Sequence, residues 1–164
     1  MAETNPQKHL YDLLKGFSTA MLATKGADGV YHARPMGIAQ LKPDAEAYFA
    51  TDKRSGKVAE IEADPNVLVS FQSSSDYASI CGVASIVEDR ALIEQLWSEA
   101  WKVWFPAGKS DPNLVLIRVD TKVGEYWDSS GSEGIRYMFE GLKAYFQGRR
   151  PETDTTQHAK VRIA

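Results

Sequence analysis

Apolar residues recur along this chain in two patterns, at helical spacing in four segments and in short strand-length runs between them. The first helix is predicted to begin after Asn5, a favourable N-cap residue, with Pro6 at its first position. Its apolar face repeats at i, i+3, i+4 and i+7, in Leu10, Leu13, Leu14 and Phe17. The other predicted helices cover about residues 56–62, 89–104 and 135–146. Four helices are too few to connect every pair of strands.

Seven runs have the length and flanking turns of β-strands, and they cover residues 18–24, 30–40, 47–51, 67–72, 78–87, 114–119 and 123–127. Asp28 and Gly29 favour a hairpin between the first two, and the last two are predicted to form a closing hairpin. Because the helices do not alternate strictly with the strands, a doubly wound parallel sheet is excluded. The pattern predicts a mainly β (α+β) fold, a small antiparallel barrel of six to seven strands with flanking helices.

The chain of 164 residues is expected to form one domain over residues 1–147, followed by a polar C-terminal tail over residues 148–164. We expect that tail to be loosely ordered or to pack on a partner subunit. The net charge of −3 gives no basic face for nucleic acid, and no apolar run is long enough to span a membrane. The single Cys81 excludes an intrachain disulfide and favours the cytoplasm; we expect its side chain to be buried as a small apolar group.

No standard catalytic motif is present, and the three histidines are too far apart in sequence to predict a metal site. Three local clusters are candidates for binding. In the first, Pro35 follows Arg34 in a predicted strand, and its missing N–H makes that stretch an edge, a bulge or a ligand-facing segment. In the second, a strand ending at Thr51 leads into a helix start at Ser55, Gly56 and Lys57, an arrangement suited to phosphate.

That helix start can equally be a capped helix with solvated charges. The third cluster, residues 125–128, is Glu-Tyr-Trp-Asp, which alone is best explained by aromatic side chains in the core. The stripe of tryptophans before residue 106 is likewise typical of core, although Trp104 and Phe105 could also cover a bound ring.

Taken in order and spacing, five motifs resemble those of the flavin-binding split-barrel superfamily, whose best-known member is pyridoxamine 5′-phosphate oxidase. They are AMLAT at 20–24, ARPM at 33–36, FAT at 49–51 with SGKV at 55–58, WFPAG at 104–108 and EYWD at 125–128. More narrowly, the chain resembles the general stress protein 26 group. The resemblance implies a six- to seven-stranded antiparallel split β-barrel and a homodimer with FMN at the subunit interface, and it leaves FAD open.

The resemblance also implies a set of cofactor-binding residues. Arg34, Ser55 and Lys57 would contact the FMN phosphate, with Gly56 where the oxidase has a further cation. The ribityl chain and the rings would lie against Pro35, Met36, Ala50 and Thr51. Tyr77 stands where the oxidase has a flavin-contacting glutamine, and Trp127 matches a tryptophan of the partner subunit. Arg136 lies near, but not at, the position of a further arginine.

Departures from the family pattern bear on function. The residues after Trp127 lack the Arg-x-His that binds the oxidase's substrate, and Ala39 replaces a lysine that would hold the substrate phosphate. We therefore expect an FMN-dependent oxidoreductase of the stress response, with a small-molecule electron donor or acceptor, and not a pyridoxamine phosphate oxidase. The alternative is a flavin-binding, storage or sensor protein without turnover. A third hypothesis keeps the barrel with haem or deazaflavin; His32 is the only histidine away from the termini that could ligate haem.

Overall fold

A computed structural model describes residues 5–128 and 158–163 of the chain. The helices are α1 (Pro6–Leu14), α2 (Gly56–Ala63) and α3 (Arg90–Leu96), with 3₁₀ turns at Glu99–Val103 and Gly108–Ser110. The strands are β1 (Thr19–Lys25), β2 (Tyr31–Leu41), β3 (Ala47–Asp52), β4 (Asn66–Gln72), β5 (Asp76–Val87), β6 (Leu114–Asp128) and β7 (His158–Arg162). The Asn5 side chain accepts hydrogen bonds from the amides of Gln7 and Lys8, which fixes the start of α1 as predicted.

Six strands close into an antiparallel barrel. They pair in the order β3-β2-β1-β4-β5-β6, and β3 also pairs with β6, which completes the ring. The seventh strand, β7, pairs with the second half of β6, at residues 123–127. The predicted mainly β barrel with flanking helices is confirmed.

The barrel core follows from alternation along the strands. In β1 and β4 every second side chain is buried, and α1 covers one end with Leu10 and Leu14, both fully buried. A second, smaller core joins α3 and the 3₁₀ turn at Glu99–Val103 to the barrel wall through Ile93, Phe105 and Leu116. The two cores leave the cavity described below between them.

The predicted closing hairpin is wrong, because residues 114–128 form one strand of 15 residues. The polar residues 120–122 mark a β-bulge in it: Cys81 pairs with Val123 and Gly82 with Thr121, so Lys122 is the extra residue. A Cβ at Gly82 would lie 2.2 Å from the Asp120 carbonyl oxygen, so only glycine fits opposite the bulge. The seventh strand comes instead from the end of the chain.

The predicted long helix over residues 89–104 is also interrupted. α3 ends at Leu96, and Ser98 caps a separate 3₁₀ turn by accepting a hydrogen bond from the Ala100 amide. The break turns the following residues back toward the barrel, which allows Phe105 to be buried while Trp104 is 79% exposed. If the helix were continuous, Trp104 and Phe105 would both be part of it.

Two further predictions need correction. Cys81 is exposed, because the alternation of β5 directs Ala78 and Ile80 inward and Cys81 outward. Residues 158–162, expected in a loose tail or an arm on a partner, form β7 and pair with β6 of the same chain. The predicted last helix, Arg136 and the proposed boundary at residue 147 lie outside the described residues.

Candidate functional site

A cavity of about 520 Å³ opens where β2 separates from β3. β2 pairs with β3 only from Ile38 onward, so within the described residues the stretch 31–37 is bonded to β1 alone. Pro35 lies in this stretch, where a missing N–H breaks no ladder, so of the three predicted alternatives the open edge is the one seen; Pro35 also lines the cavity. The cavity is lined by Thr19, Arg34, Pro35, Met36, Gly37, Ala50, Thr51, Asp52, Lys57, Trp101, Trp104 and Phe105.

Six of the ten residues predicted to bind cofactor line this cavity: Arg34, Pro35, Met36, Ala50, Thr51 and Lys57. They come from β2, the end of β3 and the start of α2, which are adjacent because β2 pairs with β3 and the β3–α2 turn is short. Ser55 borders the cavity, since its hydroxyl lies 3.3 Å from the Thr51 hydroxyl that lines it. Gly56 follows at the first position of α2, where an added Cβ would meet nothing within 4 Å.

The start of α2 is open on its cavity side. Ser55 occupies the N-cap position, yet its hydroxyl accepts no hydrogen bond from the first turn. The backbone amides of that turn therefore lack the side-chain cap that Ser usually supplies. The partial positive charge of the helix dipole remains at this end of the helix without a side-chain cap, as an anion site requires.

Lys57 is a cation without a carboxylate partner among the described residues. Its Nζ donates a hydrogen bond of 3.1 Å to Thr51 Oγ1, and no described Asp or Glu oxygen lies within ion-pair distance. Burial lowers the pKa of the Lys57 ammonium below its ordinary value, and the charge of Arg34 lowers it further. An anionic ligand beside Lys57 would relieve both effects.

Arg34, by contrast, is already paired. Its Nη2 donates to Glu60 Oε2 at 3.0 Å and its Nη1 to the Thr24 hydroxyl at 2.5 Å. The Thr24 hydroxyl also donates to Glu60, and His32 Nδ1 lies 2.7 Å from Glu60 Oε1. We call Arg34, Thr24, His32 and Glu60 the Glu60 cluster. Hydrogen bonds from Thr24, His32 and Arg34 hold the pKa of the Glu60 carboxyl at about 2, so it is charged at neutral pH.

Tryptophans form the outer side of the cavity. Trp101 packs edge-on against Trp97, with ring centroids 5.8 Å apart, and Trp104 beside it is mostly exposed. Phe105 belongs to the buried second core and Trp104 is mostly exposed, yet both residues expected to cover a ring line the cavity. An aromatic ring entering the cavity would meet Trp101 and Trp104 first.

Tyr77 and Trp127 do not line this cavity. They pair across β5 and β6 on the outer face of the barrel, and each is 43% exposed. His158 of β7 stacks on Trp127, with ring centroids 5.0 Å apart and 11° between the planes, and its Nε2 lies 2.8 Å from Glu125 Oε1. Trp127 is thus outside the core, contrary to the alternative that placed the aromatic pair inside; Tyr126 is the buried member.

Sequence reasoning missed several residues of this region. Thr24 belongs to the AMLAT motif but was given no role. Glu60 lies in no motif, although its position three residues after Lys57 places both on one helix face, which is a usable signal. Trp101 was predicted to lie in the core; it packs, partly buried, against the second core and also lines the cavity. His158 could not be predicted, because β7 joins Trp127 through pairing across the fold.

The sequence profile of pyridoxamine 5′-phosphate oxidase-like proteins matches residues 5–152. The chain belongs to the pyridoxamine 5′-phosphate oxidase-like family. General stress protein 26 of Bacillus subtilis is 29% identical over 148 residues, covering 87% of this chain and 95% of that protein. Protein bli-3 of Neurospora crassa is 30% identical over 119 residues, which span 65% of this chain but only 57% of bli-3.

Solved structures of this family share the barrel. The general stress FMN/FAD binding protein of Xanthomonas citri is similar with a TM-score of 0.61 and 32% identity, over 77% of this chain and 87% of that one. General stress protein 26 of Bacillus anthracis has a TM-score of 0.68 and 31% identity, over 75% of this chain and 94% of its own. These likenesses bear out the resemblance to the general stress protein 26 group.

No helix in the described part of the chain is both long and apolar enough to cross a bilayer. Nor do three or more His, Cys, Asp or Glu side chains of residues 5–128 and 158–163 gather as metal ligands.

Proposed function

We propose that the chain binds a flavin nucleotide in the cavity between β2 and α2, with the phosphate of FMN on Lys57 and Arg34. The observation that carries this proposal is Lys57, a partly buried ammonium with no described carboxylate partner beside an uncapped helix start. A phosphate would supply the missing negative charge and accept charge-assisted hydrogen bonds. Ser55 and Gly56 would support it with a hydroxyl and an unobstructed backbone.

The cavity fits the rest of the cofactor. Its volume of about 520 Å³ lies within the usual range for small-molecule sites. Pro35, Met36 and Ala50 give it apolar walls, and Thr51 gives it one hydroxyl toward the ribityl chain. The flavin-binding relative from Xanthomonas citri, 32% identical, supports the same cofactor class for this chain.

We infer a redox role for the bound flavin and not a pyridoxamine phosphate oxidase activity. The flavin supplies hydride and electron transfer, while the chain's residues bind and orient it. The family's substrate-binding Arg-x-His is absent after Trp127, and Ala39 cannot hold a substrate phosphate. Storage or sensing without turnover is the second candidate. His32, engaged by Glu60 and absent from the cavity lining, gives haem little support.

We further propose a cytoplasmic homodimer that pairs through the outer face of β1, β4 and β5. Large apolar side chains are about two-fifths exposed on this face, namely Met21, Leu68, Tyr77 and Val83. Met21 pairs with Ser70 and Val83 with Asn66, the positions two residues to either side of Leu68, so Met21 and Val83 each lie diagonally next to Leu68; Tyr77 lies farther along β5, opposite Gln72. Apolar faces of this kind commonly pair with a second copy. Trp127 borders the face and would reach the partner's flavin.

Titration of the purified protein with FMN and riboflavin tests the flavin site. We expect FMN to bind at micromolar concentration and riboflavin more weakly, because riboflavin lacks the phosphate. Equal affinity for both would show that Lys57 holds no phosphate, and binding of neither would reject the flavin function. Oxidation of NADH or NADPH above the rate of free FMN would then separate an oxidoreductase from a storage protein.

Light scattering after size exclusion tests the dimer. Leu68→Glu places a charge on the proposed face, and we expect it to shift the mass from two chains to one. Val103→Glu is the matched control, since Val103 is 78% exposed and lies on the 3₁₀ turn away from that face. A wild-type protein that elutes as a monomer with flavin bound would contradict the shared site.

A further inference from the structure

The net positive charge of the cavity lining is smaller than its number of cationic side chains. Arg34 and Lys57 line it, and so does Asp52. Asp52 is neutralised by Arg54, whose Nη2 and Nε donate to its two oxygens at 2.6 and 3.0 Å. Glu60 neutralises Arg34 through a single hydrogen bond, from Nη2 to Oε2 at 3.0 Å. His32 does not line the cavity, so among the lining cations and the groups paired with the lining charges one positive charge is left for a ligand, and it belongs to Lys57.

Glu60 is fixed in this role and is not a solvated surface carboxylate. Its side chain is 17% exposed, and its oxygens are held by Arg34, Thr24 and His32. Glu62, two residues along α2, is exposed and makes no ion pair or hydrogen bond with any described residue. Glu60 and Glu62 therefore lie on the same helix, but only Glu60 contacts a cation that lines the cavity.

A fixed carboxylate beside a phosphate site discriminates by ligand charge. A terminal phosphate such as that of FMN carries nearly two negative charges at pH 7, whereas each phosphate of a dinucleotide carries one. The repulsion from a carboxylate a few ångströms away grows with the charge placed beside it. A wall with one net positive charge therefore matches a singly charged phosphate more closely than a doubly charged one.

We propose that Glu60 determines cofactor selectivity at this site, by orienting Arg34 while cancelling its charge, so that FAD binds nearly as well as FMN. This inference rests on the proposed flavin site. Glu60 does not touch the cofactor in this assignment; it acts through Arg34 and through the field it adds to the cavity wall.

The substitution Glu60→Gln separates the two effects, because glutamine keeps an oxygen for Arg34 but removes the charge. We expect the dissociation constant of FMN to fall about tenfold and that of FAD to fall less than about threefold. Riboflavin affinity should not change, since riboflavin has no phosphate. Glu62→Gln removes one charge from the same helix and is expected to leave all three affinities unchanged.

A second variant guards against a general loss of structure in the first. In an Arg34→Ala background Glu60 has lost its cation, and Glu60→Gln should then improve FMN binding by more than it does in the wild type. Thermal stabilisation by inorganic phosphate gives a readout that needs no flavin: Glu60→Gln should be stabilised more strongly than wild type or Glu62→Gln.

Three results decide the matter. Weaker FMN binding by Glu60→Gln would mean that Glu60 only positions Arg34, and an equal gain for FMN and FAD would remove the selectivity; either result overturns the proposal. If no flavin binds to any variant while phosphate still stabilises Glu60→Gln the most, the flavin function is wrong and the charge effect of Glu60 is upheld.

Discussion

Two carboxylates in this chain, those of Glu46 and Glu60, each lie among cationic side chains. The two sites differ in whether every nearby cation is bound to the carboxylate. Glu46, at the start of β3, is 6% exposed; it accepts from Lys42 Nζ at 2.6 Å, Tyr48 Oη at 2.7 Å and Arg118 Nε at 2.6 Å. We call these four residues the Glu46 cluster. Every cation in it is bound to the carboxylate.

The Glu60 cluster has a second cation beside it that the carboxylate does not bind. Lys57 lies on the same helix as Glu60, yet it donates to Thr51 and not to Glu60. Burial and Arg34 lower the pKa of its ammonium, so the fold holds this charge at a cost. In the structural Glu46 cluster every charge is paired with an opposite charge. Beside the Glu60 cluster one ammonium, that of Lys57, is left unpaired with a described carboxylate, as expected of a binding site.

The largest expected effect is on stability, in the Glu46 cluster. Glu46→Ala leaves the buried Tyr48 hydroxyl without its acceptor and two cations without their carboxylate, and should lower the free energy of unfolding by about 3 kcal/mol. Denaturant titration measures it. Glu88→Ala, at an exposed glutamate, should change it by less than about 0.5 kcal/mol. A small effect of Glu46→Ala would show that the cluster is not structural.

The next effect is on ligand affinity. Lys57→Ala should raise the dissociation constant of FMN about 30-fold, the loss expected for a hydrogen bond between charged groups. Lys53→Ala is the matched control, because Lys53 is exposed in the turn that leads to the same helix. The melting temperature of Lys57→Ala should rise by about 1–2 °C, since a desolvated charge is removed. A drop in stability with unchanged affinity would place Lys57 with the structural cations.

Acid titration compares the two carboxylates directly. Burial alone would raise the pKa of Glu46, but hydrogen bonds from Lys42, Tyr48 and Arg118 outweigh it and hold the pKa at about 2, the value also found at Glu60. A carboxyl with a pKa below its unfolded value stabilises the fold above that unfolded value, and the contribution is lost as pH falls toward 2. Glu46→Gln and Glu60→Gln should both flatten the fall in denaturation midpoint between about pH 5 and pH 2.

The less exposed Glu46 should account for the larger share of that acid sensitivity. If Glu60→Gln flattened the profile more than Glu46→Gln, the Glu60 cluster would be the stronger structural element and the comparison would reverse.

The smallest effect concerns the support of Arg34. Thr24→Val removes the hydroxyl that accepts from Arg34 and donates to Glu60, and valine keeps the shape of this fully buried side chain. FMN affinity should fall about threefold, the loss of one ordinary hydrogen bond. Riboflavin affinity serves as the control and should not change. An unchanged FMN affinity would mean that Glu60 alone orients Arg34.

Local patterns in the sequence were sufficient for much of the fold and for two candidate segments that border the cavity, while the list of binding residues was implied by the family resemblance. The strand-to-helix junction at Ser55, Gly56 and Lys57 could be predicted because turn, cap and charge signals fall within seven residues. Pro35 could be predicted to lie beside an open edge, because proline cannot donate to a ladder. Both rest on constraints that act within a few positions of the chain.

The failures required information from across the fold. Residues 120–122 look like a turn, and only pairing with β5 and β7 makes them a bulge in a continuous strand. The tryptophan stripe predicts one helix, and the burial of Phe105 against the barrel is what favours the break at Ser98. Cys81 was misjudged for a different reason: its outward position could have been read from the alternation of Ala78 and Ile80.

Strand β6 is the common member of three pairings, with β5 along most of its length, β3 along its first half and β7 along its second. The barrel therefore cannot close until a segment that lies late in the sequence is available. During synthesis, residues 19–87 can form the three hairpins β1–β2, β2–β3 and β4–β5, but β3 has no second partner until residues 114–119 have left the ribosome. The unpaired edge of β3 is exposed through that interval, when a chaperone or a second nascent chain can reach it.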